Sequence, residues 1–296
     1  MIEVERLTKR YGKTVAVDAL TFRVTPGGIT GFLGPNGAGK TTTLKAILGL
    51  VRPTSGTTRV LGRHYRDLDE PTRKVGAVLE TSRYHPGRSG RNHLRVVAAQ
   101  AGIPRARVEE VLELVAMSRE AKRRVGGYSL GMRQRLGLAA ALLGDPELLI
   151  LDEPANGLDP AGIRWLRDLL RSLSARGRTI LVSSHVLAEV EQIADEVVII
   201  HRGRFVTHSS TAELAARAAA GVRVRSPQAD RLRGLLTDAG MSVVELNGGA
   251  LAVSDATPER VGELAAANGI VLHELAAEKA TLEEAFLELT GGETTA

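Results

Sequence analysis

The chain has 296 residues, of which 43% are hydrophobic and 25% charged, as in an ordinary globular protein, and its length suits either one large domain or a domain of about 200 residues with a smaller one. It contains no cysteine, which excludes disulfides and thiolate metal sites, and no apolar run approaches the roughly 20 residues of a membrane helix. The net charge of +5 comes from arginines spread along the chain without interleaved aromatics, which disfavours nucleic acid as a partner. Residues 1–6 lack the layout of a signal peptide, so we expect a soluble cytoplasmic protein.

The chain begins with predicted strands. Residues 2–7 alternate at the strand period, residues 8–14 are polar and predict a turn, and a second strand is expected at 19–24. Tyr11 lies in the predicted turn, ahead of the segment discussed next. An aromatic ring there could stack on a nucleotide base, although a lone tyrosine in a turn is usually structural, so this segment leaves both roles open.

A complete G-x-x-x-x-G-K-T phosphate-binding loop follows a predicted buried strand at 28–33 and precedes a predicted helix. It consists of Gly34, Pro35, Asn36, Gly37, Ala38, Gly39, Lys40 and Thr41. The glycines allow backbone conformations that turn successive N–H groups toward a polyphosphate, and the helix adds its positive N-terminal end. Lys40 suits the β- and γ-phosphates, and the Thr41 hydroxyl suits Mg²⁺. A glycine-rich turn without ligand is disfavoured in this context, so the loop predicts binding of a nucleoside triphosphate.

The next segment is less specific. Strands are expected at 57–61 and at 75–80, the second ending on Glu80, and helices at 92–100, at 104–115 and from 128 to about 143, the last with Ser129 as its N-cap. The stretch Thr81 to Leu94 carries proline, glycines and several arginines. This composition is typical either of a solvated loop or of a surface where a partner docks.

Two polar strand ends point to catalysis. The apolar strand at 147–152 delivers the adjacent carboxylates Asp152 and Glu153, at the end of a strand where open α/β sheets bind ligands. Because side chains alternate along a strand, we expect Asp152 to serve Mg²⁺ and Glu153 to polarise an attacking water. A second apolar strand, at 179–184, ends on His185, and the convergence of three polar strand ends favours a catalytic over a structural histidine.

The C-terminal part repeats strand and helix signals in the order βαββαβ. They are a strand at 221–225, a helix at 228–239, strands at 241–246 and 250–253 around Asn247-Gly248-Gly249, a helix at 257–268, a strand at 270–275 and a final helix at 281–290. No acid, base and nucleophile set stands out, so we expect a small α+β accessory domain without a second active site.

Taken together, these motifs resemble the nucleotide-binding subunit of an ATP-binding cassette (ABC) transporter. The resemblance covers Met1 to Ala220 and implies an α/β fold, a P-loop NTPase core with a helical subdomain at about 82–143, followed by the small α+β domain at 221–296. It also implies ATP and Mg²⁺ as cofactors, ATP hydrolysis, and a peripheral position on the inner face of the cell membrane. The last residues, 282–290, resemble the ending of drug-export ATPases of the daunorubicin-resistance type.

The resemblance assigns roles to single residues. Tyr11 resembles the adenine-stacking aromatic, residues 34–41 the Walker A loop with Thr42 next to it, and residues 156–159 the D-loop. Lys40, Glu153 and His185 are implied as catalytic residues, the last as the switch histidine. Thr41 and Asp152 are implied at Mg²⁺, together with Glu80, although the family usually has glutamine at that position and a carboxylate repels phosphate.

Residues 128–132, Tyr-Ser-Leu-Gly-Met, stand where the family has Leu-Ser-Gly-Gly-Gln. Only Ser129 and Gly131 match, and both are expected to contact ATP bound by an opposite subunit, so that two chains form a head-to-tail dimer. The partner is either a second copy or a paired ATPase subunit.

A separate transmembrane permease is implied as a further partner, docking near Thr81 to Arg95, with a solvated surface as the alternative for that stretch. We therefore expect the ATPase subunit of a bacterial ABC exporter. The alternative is a soluble ABC-type ATPase acting on ribosomes or nucleic acid, but such proteins usually resemble two fused cassettes, and this chain has one Walker A loop. A third interpretation is a P-loop kinase or GTPase. The signature segment, residues 128–132, disfavours this interpretation together with His185.

Overall fold

A computed structural model describes residues 1–79, 84–217, 221–246, 249–254 and 256–278. The chain divides into two compact units, Met1–Ser209 and Ser210–Thr294, so the division precedes the boundary at 220 expected from the sequence. Glu80 and the predicted final helix at 281–290 lie outside the described residues.

The first unit combines strands and helices in a mixed order. Its strands are β1 (Ile2–Tyr11), β2 (Thr14–Val24), β3 (Gly28–Leu33), β4 (Ser55–Val60), β5 (Val75–Val78), β6 (Leu148–Asp152), β7 (Thr179–Ser184), β8 (Glu196–His201) and β9 (Arg204–Ser210). Its helices are α1 (Lys40–Ile47), α2 (Pro71–Lys74), α3 (Gly90–Gln100), α4 (Ala106–Leu114), α5 (Leu130–Leu142), α6 (Pro160–Ala175) and α7 (Leu187–Glu191). Short 3-10 turns occur at Tyr65–Asp67 and Val125–Gly127.

The central sheet has six strands in the order β5-β6-β7-β3-β8-β9. Strands β5, β6, β7, β3 and β8 run parallel, and β6 and β7 are buried along their whole length, as expected for a sheet covered on both faces. The register pairs Asp152 with Ser183 and Leu33 with Ser184. The carboxyl ends of three neighbouring strands therefore meet at one edge, where the phosphate loop begins. This is the α/β, P-loop core that the sequence predicts.

A second, antiparallel sheet has the order β2-β1-β4. Strand β1 continues to Tyr11, which pairs with Thr14, so the predicted polar turn at 8–14 is wrong except for its tip at residues 12 and 13. Cross-strand hydrogen bonds override the weak local signal of polar residues here. Apolar residues of this sheet pack on the central sheet around α1; for example, the ring of Phe22 stacks on that of Phe32 at 5.2 Å.

Helices α3, α4 and α5 pack on one another through buried aliphatic side chains that include Leu94, Leu112 and Leu136. They begin and end within a few residues of the bounds that the apolar spacing predicts. At the start of α5, the Ser129 hydroxyl accepts from the Met132 N–H at 3.2 Å, which confirms the predicted N-cap.

The second unit has the predicted βαββαβ order. After α8 (Thr211–Arg217) come β10 (Gly221–Arg225), α9 (Ala229–Asp238), β11 (Ser242–Leu246), β12 (Ala250–Ser254), α10 (Pro258–Ala267) and β13 (Glu274–Glu278). The sheet is antiparallel, in the order β11-β12-β10-β13, over a core shared with α9 and α10. The strand predicted at 270–275 begins only at Glu274, since pairing with β10 sets its start. In the described part of the chain, no helix is both long and apolar enough to cross a bilayer.

Candidate active site

The glycines of the phosphate loop are required for two different reasons. Gly37 and Gly39 have φ angles of 80° and 100°, the left-handed region that side chains rarely adopt. Gly34 has no positive φ; a Cβ there would lie 2.4 Å from the Ile200 carbonyl oxygen, so its requirement is space. The prediction that these glycines adopt backbone conformations unfavourable for other residues is thus correct for Gly37 and Gly39, and it is wrong for Gly34.

Lys40 is the first residue of α1 and is almost fully buried. Its Nζ donates to the Gly34 carbonyl oxygen at 2.6 Å and to the Pro35 carbonyl oxygen at 3.3 Å. It also lies 3.2 Å from Glu153 Oε1, and the two side chains are only 6% and 9% exposed. The lysine ammonium is therefore held at the mouth of the loop by its own carbonyls and by one carboxylate.

The two adjacent acidic residues are both bonded to one hydroxyl on the neighbouring strand, Asp152 through its carboxylate and Glu153 through its backbone N–H. Ser183 Oγ donates to Asp152 Oδ1 at 2.6 Å and accepts from the Glu153 N–H at 3.0 Å. Asp152 is 1% exposed, and its Oδ2 is buried without a protein partner in the described structure. An unpaired, buried carboxylate oxygen is costly, so this atom is suited to a cation.

Glu153 lies beyond the end of β6 and has a φ of 49°. The strand alternation assumed from the sequence therefore does not apply to it; the left-handed backbone turns its side chain toward the loop. Glu153 Oε2 lies 2.8 Å from His185 Nδ1, while Oε1 contacts Lys40. Lysine, glutamate and histidine thus form one continuous chain of contacts.

A fourth ionisable group lies beside this chain. Burial raises the pKa of Glu189, and the nearby Glu153 carboxylate adds to the increase, whereas His185 and a hydrogen bond from Ser184 oppose it. Glu189 is therefore protonated more readily than an ordinary glutamate.

A cleft of about 490 Å³ opens above these groups, within the range of small-molecule sites. It is lined by Ala16, Pro35, Asn36, Gly37, Gly39, Lys40, Thr41, Thr42, Glu153, Asn156 and His185. Of the other predicted loop residues, Gly34 and Ala38 are buried beneath it. The cleft thus brings together most of the residues that the sequence predicts for phosphate binding and hydrolysis.

Tyr11 is not among the residues that line this cleft. It ends β1 with a half-exposed ring, and Lys9 Nζ lies 4.9 Å from the ring centroid. One face of the ring is therefore engaged by a cation, and base stacking by Tyr11 stays a prediction.

The signature segment also lies away from this chain's own cleft. Ser129 is exposed and Gly131 is partly exposed, and neither lines the cleft. Leu130, which replaces the family's first glycine, packs on the D-loop: a Cβ at Gly157 would lie 2.0 Å from Leu130 Cδ2. Leu130 nevertheless remains 58% exposed.

Sequence reasoning missed two residues of the site. Ser183 bonds to the Asp152 carboxylate and to the Glu153 N–H, and Ala16 lines the cleft from β2, whereas Asn156, which was expected in the D-loop, lines the cleft from the turn after β6. A serine at the end of the strand beside β6 is the signal that could have identified Ser183, because neighbouring parallel strands end at the same edge.

Two family models match the chain. Residues 17–156 match the model described as "ABC transporter". Residues 219–283 match a model described as a domain of unknown function, and they cover most of the second unit.

Several proteins that are similar to this chain are named as transport or export proteins. The bacitracin transport ATP-binding protein BcrA of Enterococcus faecalis is 46% identical over 217 residues, which are 72% of this chain and 70% of that protein. The Nod factor export ATP-binding protein I of Paraburkholderia xenovorans (strain LB400) is 36% identical over 301 residues, 99% of this chain and 97% of that protein. A solved ATP-binding subunit of an ABC transporter is 32% identical with a TM-score of 0.66, covering 73% of this chain and 92% of its own. The Nod factor relative spans both units.

Proposed function

The chain belongs to the family of ABC transporter ATP-binding proteins, and on that premise we propose that it powers the export of an antimicrobial compound through a separate membrane subunit. It binds and hydrolyses ATP, as members of its family do. The similarity to a bacitracin transport protein supports the choice of substrate class. The similarity to a Nod factor export protein over nearly the whole chain supports export as the direction.

The observation that carries the catalytic proposal is the contact chain from Lys40 through Glu153 to His185. Lys40 would leave Glu153 for the β- and γ-phosphates when ATP enters the cleft. Glu153 would then accept a proton from the attacking water, and His185 would hold the glutamate and sense the γ-phosphate. The Gly37 and Gly39 backbone and the N-terminus of α1 would bind the phosphate oxygens.

The residues present fit Mg²⁺. Asp152 Oδ2 is a buried oxygen without a protein partner, and Thr41 lines the cleft above it. These two side chains would hold the ion together with phosphate and water oxygens, which are the kind of ligand that Mg²⁺ prefers. When bound, the ion would neutralise phosphate charge; Ser183 would keep Asp152 oriented toward it. Glu80 is proposed as a further contributor from the sequence alone.

We further propose that two chains close head to tail around ATP, as a homodimer or with a paired ATPase subunit. What supports this is that Ser129 is exposed and Gly131 partly exposed, and that neither lines its own cleft, although helix α5 begins there. Its capped N-terminus would contact the γ-phosphate held by the opposite subunit. The membrane subunit would dock near Thr81 to Arg95, which would keep the chain on the inner face of the membrane.

The proposed function is tested by measuring the resistance of cells to bacitracin. Cells that express the chain together with a candidate membrane subunit, taken from the genes that neighbour its own, should tolerate more bacitracin than cells that express the same membrane protein with the Glu153→Gln variant. Equal tolerance in the two strains, with purified wild-type chain active as an ATPase, would overturn the substrate class. Failure of the two proteins to purify together would overturn the pairing itself. The soluble alternative acting on ribosomes or nucleic acid is not favoured, because the similar proteins are transport proteins.

A further inference from the structure

The first residues of helix α5 contact the D-loop, residues 156–159. A Cβ at Gly157 would lie 2.0 Å from Leu130 Cδ2, and a Cβ at Gly131 would lie 3.2 Å from Leu158 Cδ2. Side chains of each segment therefore lie directly against the backbone of the other. Because these contacts are confined to one end of the helix, they fix where α5 begins and leave its direction open.

A second contact lies further along the same helix. The guanidinium carbon of Arg135 lies 3.8 Å from the centroid of the Trp165 ring, which belongs to α6. Tryptophan is the aromatic side chain that attracts a cation most strongly in this arrangement. Arg135 follows Leu130 by five residues, or about 7.5 Å along the helix axis. Two contact points at this separation fix the direction of α5 relative to α6.

Arg135 is also held by a neighbouring helix. Its Nη1 donates to the carbonyl oxygen of Val115, the C-cap of α4, at 3.1 Å. Burial lowers the pKa of Arg135 and the charge of Asp159, at the end of the D-loop, opposes this shift; an arginine stays protonated all the same. Arg135 and Trp165 are both half-buried, and removal from water strengthens the attraction between a cation and a ring. Arg135 thus joins α4, α5 and α6.

Neither member of this stack belongs to the ATP cleft. Arg135 and Trp165 are not among the residues that line it. Any effect of the two side chains on ATP turnover therefore has to pass through another residue. The route that the contacts offer is helix α5 itself, which begins at the signature segment with the capping residue Ser129.

Resting on the proposed head-to-tail dimer, we propose that the stacking of Arg135 on Trp165 sets the direction of α5 and so positions Ser129 and Gly131 on the ATP of the opposite subunit. Both members of the stack are positioning residues. The field of a helix N-terminus is confined to about its first turn, so a small tilt of α5 moves that end away from the phosphate. Without the stack, the contacts at Leu130 remain and the rest of the helix is free to tilt.

Tryptophan fluorescence tests the stack in solution. Trp165 is the only tryptophan in the chain, so its emission is read without a second indole. Arg135→Gln uncovers one face of the ring and should increase the quenching of this emission by acrylamide. Arg133→Gln removes the same charge from an exposed position on α5 and should leave the quenching as in the wild type. Equal quenching in all three proteins would overturn the proposal.

Turnover measurements test the positioning role. Arg135→Gln and Trp165→Leu should each lower kcat for ATP hydrolysis by about two- to thirtyfold and leave the ATP affinity of the single chain unchanged. The double variant should lose no more than either single variant, because both remove the same contact. Trp165→Phe keeps an aromatic face and should restore most of the rate, and Arg133→Gln should keep all of it.

Thermal melting separates these effects from a defect in folding. Should Trp165→Leu melt early, Arg135→Gln and Trp165→Phe carry the comparison. Losses that multiply in the double variant would show that the two side chains act independently and would overturn the proposal. So would a change in ATP affinity without a change in kcat.

Mixed dimers show in which subunit the stack acts. The chain is mixed with an excess of a Lys40→Ala variant, so that each intact cleft is completed by α5 of a chain that cannot hydrolyse ATP. Arg135→Gln should lower turnover when it is placed on the Lys40→Ala chain and not when it is placed on the chain with the intact cleft. Equal effects in the two placements would overturn the proposal.

A reference variant keeps this proposal apart from the proposed dimer. Ser129→Arg on the Lys40→Ala chain should abolish turnover by the intact cleft of the opposite chain. Loss with Ser129→Arg and none with Arg135→Gln would overturn the positioning role and leave the dimer standing. No loss with Ser129→Arg would contradict the head-to-tail dimer itself.

Discussion

Replacing Glu153 with glutamine should have opposite effects on ATP binding and on ATP hydrolysis. The carboxylate now contacts the Lys40 ammonium at 3.2 Å between two side chains that are both more than nine-tenths buried. ATP must take the lysine away from this contact. Glutamine keeps the shape and a neutral hydrogen bond, but it removes the charge that competes with phosphate.

The size of the effect follows from the difference between a charged and a neutral hydrogen bond. Charged bonds contribute about 1.5–3 kcal/mol and neutral ones about 1 kcal/mol, so the competition weakens by about 0.5–2 kcal/mol. At roughly 1.4 kcal/mol for each factor of ten, ATP should bind about two- to thirtyfold more tightly. Hydrolysis should fall by about 10²–10⁴-fold, because the amide cannot accept the proton of the attacking water.

Calorimetric titration with Mg-ATP measures the affinity, and phosphate release measures hydrolysis. Glu191→Gln is the matched control, since Glu191 is an exposed glutamate on α7 and should change neither quantity. Hydrolysis within a few-fold of the wild type would show that the assigned carboxylate is wrong. Weaker ATP binding by a variant that melts like the wild type would refute the competition between Glu153 and phosphate for Lys40.

Three further substitutions test other parts of the site. Ser183→Ala removes a hydroxyl bonded at 2.6 Å and 3.0 Å and should lower the free energy of unfolding by about 1–3 kcal/mol; an unchanged thermal midpoint would contradict the bridge. Gly39→Ala should abolish nucleotide binding, because a Cβ would lie 2.5 Å from a backbone oxygen, whereas Gly177→Ala, with similar φ and open space, should keep it in the same titration. Ser129→Arg should impair hydrolysis by the dimer in a turnover assay and leave the ATP affinity of the monomer intact; loss of monomer binding would place the signature helix in its own site.

Much of the core could be predicted because its signals are local. The phosphate loop, the strand before it and the helix after it follow from consecutive residues, and so does the cap that Ser129 provides for α5. The βαββαβ order of the second unit follows from turn residues and periodicity. Errors occurred where pairing with a distant strand decides the outcome, as at the extension of β1 to Tyr11 and the late start of β13.

Inside the site, the residue pattern alone predicts the side chains to which the chemistry is assigned: a lysine on a phosphate loop, two carboxylates after one strand and a histidine after another. Their contacts follow from the tertiary fold. Ser183 joins the Asp152 carboxylate to the Glu153 backbone because β6 and β7 lie side by side in register, and Glu153 reaches Lys40 because its backbone leaves the strand with a positive φ. Backbone hydrogen bonds likewise join residues 86–89 to residues 124–126, two segments far apart in the chain. Such pairings are long-range, and local residue patterns carry no signal for them.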